Sequence, residues 1–250
     1  MIDITLASQT WIALALVLVP IQLRFAAPYG RHTRRGWGPM IDNRLGWIIM
    51  EIISPLAFGY FFLSGNGIKT PATWLFFALW MAHYLNRSII FPLRIHTTGK
   101  KIPLSIAVSA MFFNIVNGYL NGAWLGTMGA DYGASWLTDP RFILGVAVFA
   151  LGAGINLWSD NRLIHLRKPD ETGYKIPKGG LFRYISCPNL FGEMVEWAGF
   201  VLMCWSWPAL SFAVWTAANL GPRALAHHRW YRSHFKDYPP ERKAVVPFVI

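Results

Sequence analysis

Seven apolar stretches, near residues 6–23, 45–64, 72–92, 103–125, 141–159, 189–206 and 208–230, set the tightest limit on what this 250-residue chain can fold into. Each approaches the roughly 20 residues an α-helix needs to cross a bilayer. In hydrocarbon, backbone amides are satisfied only by helices or closed barrels. The first stretch lacks a basic leading region and a small-residue cleavage site, so it reads as a permanent helix, not a removable leader. Composition agrees, with 54% hydrophobic and only 14% charged residues, where soluble domains carry about 25% charged. Such hydrophobicity excludes disorder. The formal net charge is nevertheless +11. That combination fits a membrane protein with its cations gathered in loops better than a nucleic-acid binder. The expected fold is all-α and integral to the membrane, a single domain over 1–250. Cys187 and Cys204 form neither a disulfide framework nor a metal-ligand spacing and read as free thiols.

The basic residues orient the bundle. Arg24, Arg31, Arg34, Arg35 and Arg44 fall in the first loop, and Arg94, Lys100 and Lys101 in the third. Arg162, Arg167, Lys168, Lys175, Lys178 and Arg183 fall in the 160–188 loop, and Arg223, Arg229, Arg232, Lys236, Arg242 and Lys243 at the C-terminal end. Together these are 20 of the 23 Lys and Arg. Alternate loops are therefore basic, as positive-inside ordering requires of seven helices with the N-terminus outside and the C-terminus cytoplasmic. A six-span alternative, prompted by polar residues near the ends of spans 3, 5, 6 and 7, puts one basic loop on the wrong side. The 160–188 segment, punctuated by Pro169, Pro177, Gly179, Gly180 and Pro188, reads as a loop throughout, and a loop this long usually has a function.

Ionisable residues inside apolar spans are costly and so are candidates for function. His83 and Arg87 lie one helical turn apart on span 3, with Tyr84 adjacent, and Asn156 and Asp160 are similarly spaced on span 5. Asn189, Glu193 and Glu196 share a face of span 6, and Arg223, His227 and Tyr231 a face of span 7. The plain reading is mutual neutralisation, for example Glu193 with Arg223. The functional reading is a pocket at one end of the bundle for a ligand with anionic groups, because arginine forks suit phosphates. Glu51, in Met50-Glu51-Ile52-Ile53-Ser54-Pro55, stands apart in apolar surroundings. There an uncharged carboxyl can act as a hydrogen-bond donor, and with the Tyr84 phenol it would polarise a carbonyl oxygen. No dinucleotide-fold glycine motif, P-loop, HExxH or nucleophile elbow occurs. Adjacent residues on a helix point about 100° apart, so His227-His228 does not face one metal ion.

The segment Leu166-Arg-Lys-Pro-Asp-Glu-Thr-Gly-Tyr-Lys-Ile-Pro-Lys-Gly-Gly-Leu-Phe182 resembles the signature of the steroid 5α-reductase family. So does its continuation from Tyr184 to Asn189, Glu193, Glu196 and Trp197, and the tail from His227 to Tyr231, Tyr238, Arg242 and Pro247. Further similarity lies in Ala27-Pro-Tyr29-Gly-Arg31, Met50-Glu51 and His83-Tyr84-Leu-Asn-Arg87.

The resemblance implies a seven-helix membrane reductase, monomeric and lipid-embedded, that uses NADPH to saturate the C4–C5 bond of a 3-oxo-Δ4-steroid. Residues 1–125 would serve mainly the steroid and 126–250 mainly the cofactor. It implies that Glu51 and Tyr84 hold the 3-keto group and that Trp197 lies near the steroid. The cofactor positions it implies are Tyr29, Arg87, Asn156, Asp160, Arg167, Tyr174, Lys175, Asn189, Glu193, Arg223, His227 and Tyr231. Lys175 replaces an arginine of some relatives, and Ile95–Lys101 departs from the family pattern, so no residue there is carried over. Rival readings are an enoyl-thioester or polyprenol reductase of the same superfamily, a membrane methyltransferase of the isoprenylcysteine type, and a sterol-binding receptor. The membrane is either a bacterial inner membrane or the endoplasmic reticulum.

Overall fold

Short polar side chains and prolines mark where the apolar stretches begin. In the computed structural model, which describes residues 3–97, 99–167, 171 and 173–250, Asp3 accepts from the first free amides of α1 (Ile4–Arg24). Asp42 does the same for α2 (Asn43–Ser64), and Thr70 precedes Pro71 at the start of α3 (Pro71–Leu85). Caps of this kind satisfy amides that have no partner in the first turn, and proline fits there because it has no amide to leave unpaired. A π-turn, Asn86–Ile90, joins α3 to the short α4 (Phe91–Arg94). Pro92 cannot donate to Ser88, and the wider turn relieves that clash. Then follow α5 (Leu104–Thr127), α6 (Pro140–Ile164), α7 (Pro188–Cys204) and α8 (Trp207–His234).

These elements track the seven predicted stretches, with one correction: α6 continues to Ile164, so the expected loop 160–188 begins five residues later, at His165, and Asp160 lies on a helix. Lys168 and Pro169, counted in that loop, lie outside the described residues. Four helices, α1, α2, α5 and α6, are long and apolar enough to cross a membrane. Of the rest, α3 and α7 are short, at 15 and 17 residues, α4 is a single turn, and α8 is long enough but too polar. Leu16, Val17, Leu56, Leu63, Leu144 and Leu151 point outward and are exposed, an apolar belt suited to lipid.

Close helix crossings fix the bundle. A Cβ on Gly152 of α6 would sit 2.1 Å from the Glu196 amide nitrogen on α7. A Cβ on Gly122 of α5 would sit 2.6 Å from the Phe58 carbonyl oxygen on α2. Backbones approach this closely only at glycine, and membrane helices gain their packing in this way. Gly152→Val is expected to force α6 and α7 apart, at a cost of about 1–3 kcal/mol or more. The measurement is thermal stability of the detergent-solubilised protein, and an unchanged midpoint would refute the crossing. Within the bundle, Trp80, Trp197, Phe58, Phe76, Phe200 and Phe212 form a fully buried aromatic core.

At the basic end the loops are tied together. Strands β1 (Met40–Asp42) and β2 (Lys101–Pro103) pair antiparallel, with Ile41 opposite Ile102. That pairing brings the first and third basic loops side by side. The C-terminal tail returns to the α7 entrance, where the Ser186 amide donates to the Lys243 carbonyl at 2.8 Å and the Cys187 amide to Ala244 at 3.1 Å.

Candidate functional site

At the basic end of the bundle, α6, α7 and the π-turn after α3 each deliver an ionisable group to one point. Arg87, in the π-turn, has its guanidinium 3.7 Å from Asp160 of α6 and 4.0 Å from Glu193 of α7, all three largely buried. Its cationic carbon lies 5.1 Å over the Trp47 ring and 5.2 Å over Phe91. Asn189 donates to Asp160 Oδ1 at 3.0 Å, and Asn156 donates to the Asn189 carbonyl at 3.0 Å. Asp160 Oδ2 is buried and, among the described residues, has no hydrogen-bond partner. The predicted convergence of Arg87, Asn156, Asp160, Asn189 and Glu193 is thus found. Glu196 separates from them: its carboxylate meets His83 Nδ1 at 2.8 Å.

Two cavities flank this cluster. The larger, of about 490 Å³, is lined by apolar and aromatic residues of α1, α2, α5 and α8, with Glu51, Arg87, Glu193, Tyr29 and Arg223 at one end. The smaller, of about 230 Å³, lies between the 95–100 loop and the end of α6, with Asp160, Asn189, Lys100 and Arg167 among its walls. The ionic cluster therefore contributes Arg87 and Glu193 to one cavity and Asp160 and Asn189 to the other.

Glu51 faces the larger cavity, with Asn114 beside it. Tyr84 is an electrostatic neighbour of Glu51 but stands behind the wall, buried against Trp80 and His83, beside the Ser54 hydroxyl. The two predicted donors therefore adjoin, yet only Glu51 reaches the cavity surface. Trp197 lies deep in the aromatic core, its ring 4.5 Å from Phe212 and 4.7 Å from His83, not on the cavity wall.

Arg223 is not paired with Glu193. Its two terminal nitrogens donate to the carbonyls of Ala27 and Tyr29, both at 2.9 Å, and its guanidinium stacks 3.5 Å over the Tyr29 ring. It clamps the first loop to α8, a role that sequence spacing cannot reveal because the partners are backbone atoms about 195 residues away.

Beyond this clamp is a cationic nest around Tyr174. The side chains of Arg31, Lys100 and Arg167 lie 5.1, 5.2 and 5.9 Å from its ring centre. Arg31 also lies over Trp230 and Tyr231, donates to the Tyr231 hydroxyl at 3.3 Å, and has its other terminal nitrogen buried with no hydrogen-bond partner among the described residues. Burial, then the nearby Arg167 and Arg31, hold the Lys100 amine below the usual lysine range. Lys175 does not join the nest; it pairs with Glu171.

Arg31, Lys100, Trp47 and Trp230 were missed as site residues. Arg31 and Lys100 read in sequence only as topology charges, and their aromatic neighbours come from distant segments.

His227 of α8 stacks on His32 of the first loop, with His32 Nε2 and His227 Nδ1 3.0 Å apart. Burial, then the neighbouring Arg223, Arg31 and Arg229, depress the His32 imidazole from 6.5 to about 4. A group that binds fewer protons folded than unfolded withdraws stability as pH falls through the interval between its two values. Thermal stability is expected to fall from about pH 6.5 towards 4, and His32→Gln to flatten that fall; an identical slope in both proteins would refute it.

An apolar chamber and a cation-rich pocket thus share one ionic wall within a bundle of helices, four of them long and apolar enough to cross a membrane. A family model described as 3-oxo-5-alpha-steroid 4-dehydrogenase matches residues 100–250. The chain is 43% identical over 256 residues to Steroid 5-alpha-reductase DET2 of Gossypium hirsutum, covering 99% of this chain and 98% of that one. It is 41% identical over 243 residues to 3-oxo-5-alpha-steroid 4-dehydrogenase 1 of Bos taurus, covering 95% and 93%. It is 38% identical over 224 residues to the 3-oxo-5-alpha-steroid 4-dehydrogenase 1 of Homo sapiens, covering 88% and 85%. The chain belongs to the steroid 5-alpha-reductase family.

Proposed function

We propose that this protein reduces the C4–C5 double bond of 3-oxo-Δ4-steroids with NADPH, as a seven-span membrane enzyme with its basic end in the cytoplasm. The observation that carries this reading is the position of Glu51 at the charged end of an otherwise apolar cavity of about 490 Å³. That is the form expected of a site for a greasy ring system with one polar atom to be recognised.

The residues fit a nicotinamide dinucleotide phosphate. Arg31, Lys100 and Arg167 gather around Tyr174, a donor set for phosphate oxygens. Among the described residues, Arg31 Nη1 and Asp160 Oδ2 are buried without a hydrogen-bond partner. Arg31, Lys100, Arg167, Tyr174 and Tyr231 would hold the phosphate-bearing half. Arg87, Asp160, Asn189 and Glu193 would hold the end nearest the acceptor, with Asn156 holding Asn189 in place. Tyr29, Arg223 and His227 shape the passage between the halves. When bound, the reduced cofactor supplies the hydride.

Glu51 donates to the ketone oxygen as negative charge builds there, and Tyr84 either donates alongside it or orients it. Such donors speed the reaction because their bonds strengthen in the transition state. The buried aromatic core excludes water from the reacting atoms. Trp197, inside that core, would shape the steroid site through Phe212 and His83 without contact. Protonation of the α-carbon by water completes the saturation.

The test is purified protein in detergent with NADPH and a 3-oxo-Δ4-steroid, following nicotinamide absorbance and product mass. A 5α-saturated ketone formed with matching NADPH loss is the expected result. No NADPH loss with any enone would overturn the proposal and turn attention to methyl donors.

A further inference from the structure

A third hollow, sharing no wall with the other two cavities, lies on the outward face of α6 near its basic end. This groove of about 500 Å³ is apolar, walled by Leu151, Gly154, Ile155 and Trp158 of α6 and by Gly180 and Leu181 of the turn before α7. A Cβ on Gly180 would strike the Trp158 ring, so glycine lets the turn close on α6, and that ring also lies 5.9 Å from the buried Phe182. Gly154 faces open space, since a Cβ there would meet nothing within 4 Å. Arg162 stands one turn beyond Trp158, its guanidinium carbon 5.8 Å from the Trp158 ring centre. One of its terminal nitrogens lies 3.9 Å from the Cβ position of Gly179, the neighbour of Lys178 in the chain. Both cations are exposed, and among the described residues neither is ion-paired. The opposite end of α6 repeats the arrangement with one difference: Arg141 lies over Trp136 and Trp205, but Asp139 neutralises it.

We infer that this groove binds an anionic phospholipid, with an acyl chain along Leu151 to Trp158 and the phosphate against Arg162 and Lys178. α6 is one of the helices long and apolar enough to cross a membrane, and Leu151 is exposed on it. Tryptophan near the end of such a helix marks the membrane–water interface. Arg162 lies four residues further on, about 6 Å along the axis, at the level of lipid headgroups. An arginine fork suits a phosphate, and basic pockets beside membrane helices take anionic headgroups. A zwitterionic lipid brings its own cation and so leaves Arg162 and Lys178 less well neutralised. The assignment does not depend on which reaction the protein catalyses.

The experiment is native mass spectrometry of the detergent-solubilised protein, titrated with phosphatidylglycerol or phosphatidylcholine of identical acyl chains. Wild type is expected to retain one phosphatidylglycerol in preference to phosphatidylcholine. Arg162→Gln and Lys178→Gln should each weaken phosphatidylglycerol binding about fivefold and change phosphatidylcholine little. Gly154→Phe fills the groove and should abolish the preferred site. Arg162→Lys keeps the charge and should retain most of the affinity. Arg34→Gln with Arg35→Gln removes two exposed cations of the first loop and should leave it unchanged. Circular dichroism of each variant separates lost binding from lost folding. Equal retention of the two lipids by wild type overturns the inference, as does unchanged phosphatidylglycerol binding in Arg162→Gln or Gly154→Phe. Inorganic phosphate that fully displaces the lipid would mark an anion site without a groove. A wild-type dimer split by Gly154→Phe would seat a second copy of the chain there. Either result overturns the assignment.

Discussion

Glu51→Leu is expected to lower kcat/KM for a 3-oxo-Δ4-steroid by about 100- to 1,000-fold while leaving NADPH binding intact, the usual cost of removing a donor from a developing oxyanion. Glu51 faces the acceptor cavity, and Asn114 stands beside it. The leucine fills similar space but has no hydrogen to give. Glu51→Gln retains an N–H donor, so it should keep a measurable fraction of activity. Tyr84→Phe separates two roles for the phenol. If the hydroxyl meets the ketone directly, loss should match that of Glu51→Leu; if it acts only through Glu51, loss should be smaller. Wild-type turnover in both Glu51→Leu and Tyr84→Phe would remove the pair from the mechanism. The measurements are steady-state rates beside NADPH binding by fluorescence, which distinguish lost chemistry from a lost cofactor site.

The second large effect is expected at Arg87. Its guanidinium stands 3.7 Å from Asp160 and 4.0 Å from Glu193, and among the described residues it is the cation that the two carboxylates share. Arg87→Met would leave two buried acids facing one another without their partner. Breaking a buried pair in this way costs about 3–5 kcal/mol, so the variant should lose much of its thermal stability as well as cofactor binding. Adding Asp160→Asn and Glu193→Gln removes the unpaired charges and should recover most of the stability. Activity should not return, because the wall between the two cavities would no longer carry charge. A triple variant no more stable than Arg87→Met would show that the cluster is not an ionic unit.

Much of this could be read from residue order. The apolar stretches and their caps follow from local rules, since a helix start is set by the few residues around it. The spacing of Asn156 with Asp160 and of Asn189 with Glu193 predicted shared faces, and both pairs reach the cluster. Helical spacing failed where the ladder itself changes. The π-turn at Asn86–Ile90 turns Arg87 away from a regular continuation of His83, and the two side chains take different acids, Asp160 and Glu193 against Glu196. In the plain reading Arg223 was to neutralise Glu193. It meets backbone carbonyls instead, and no side-chain pattern encodes those.

By itself, then, the sequence determined the bundle of apolar helices, the gathering of cations at one end and the set of polar residues held within the spans, because hydrophobic length, capping and charge placement are local quantities. Only the tertiary structure decided which acid meets which base, that Trp197 is core and Tyr84 stands behind Glu51, and that Arg31 and Lys100 gather around Tyr174. Those outcomes depend on how helices cross and how distant loops pair, and buried charges and amides are strong only when the partner arrives at hydrogen-bond range from elsewhere in the chain.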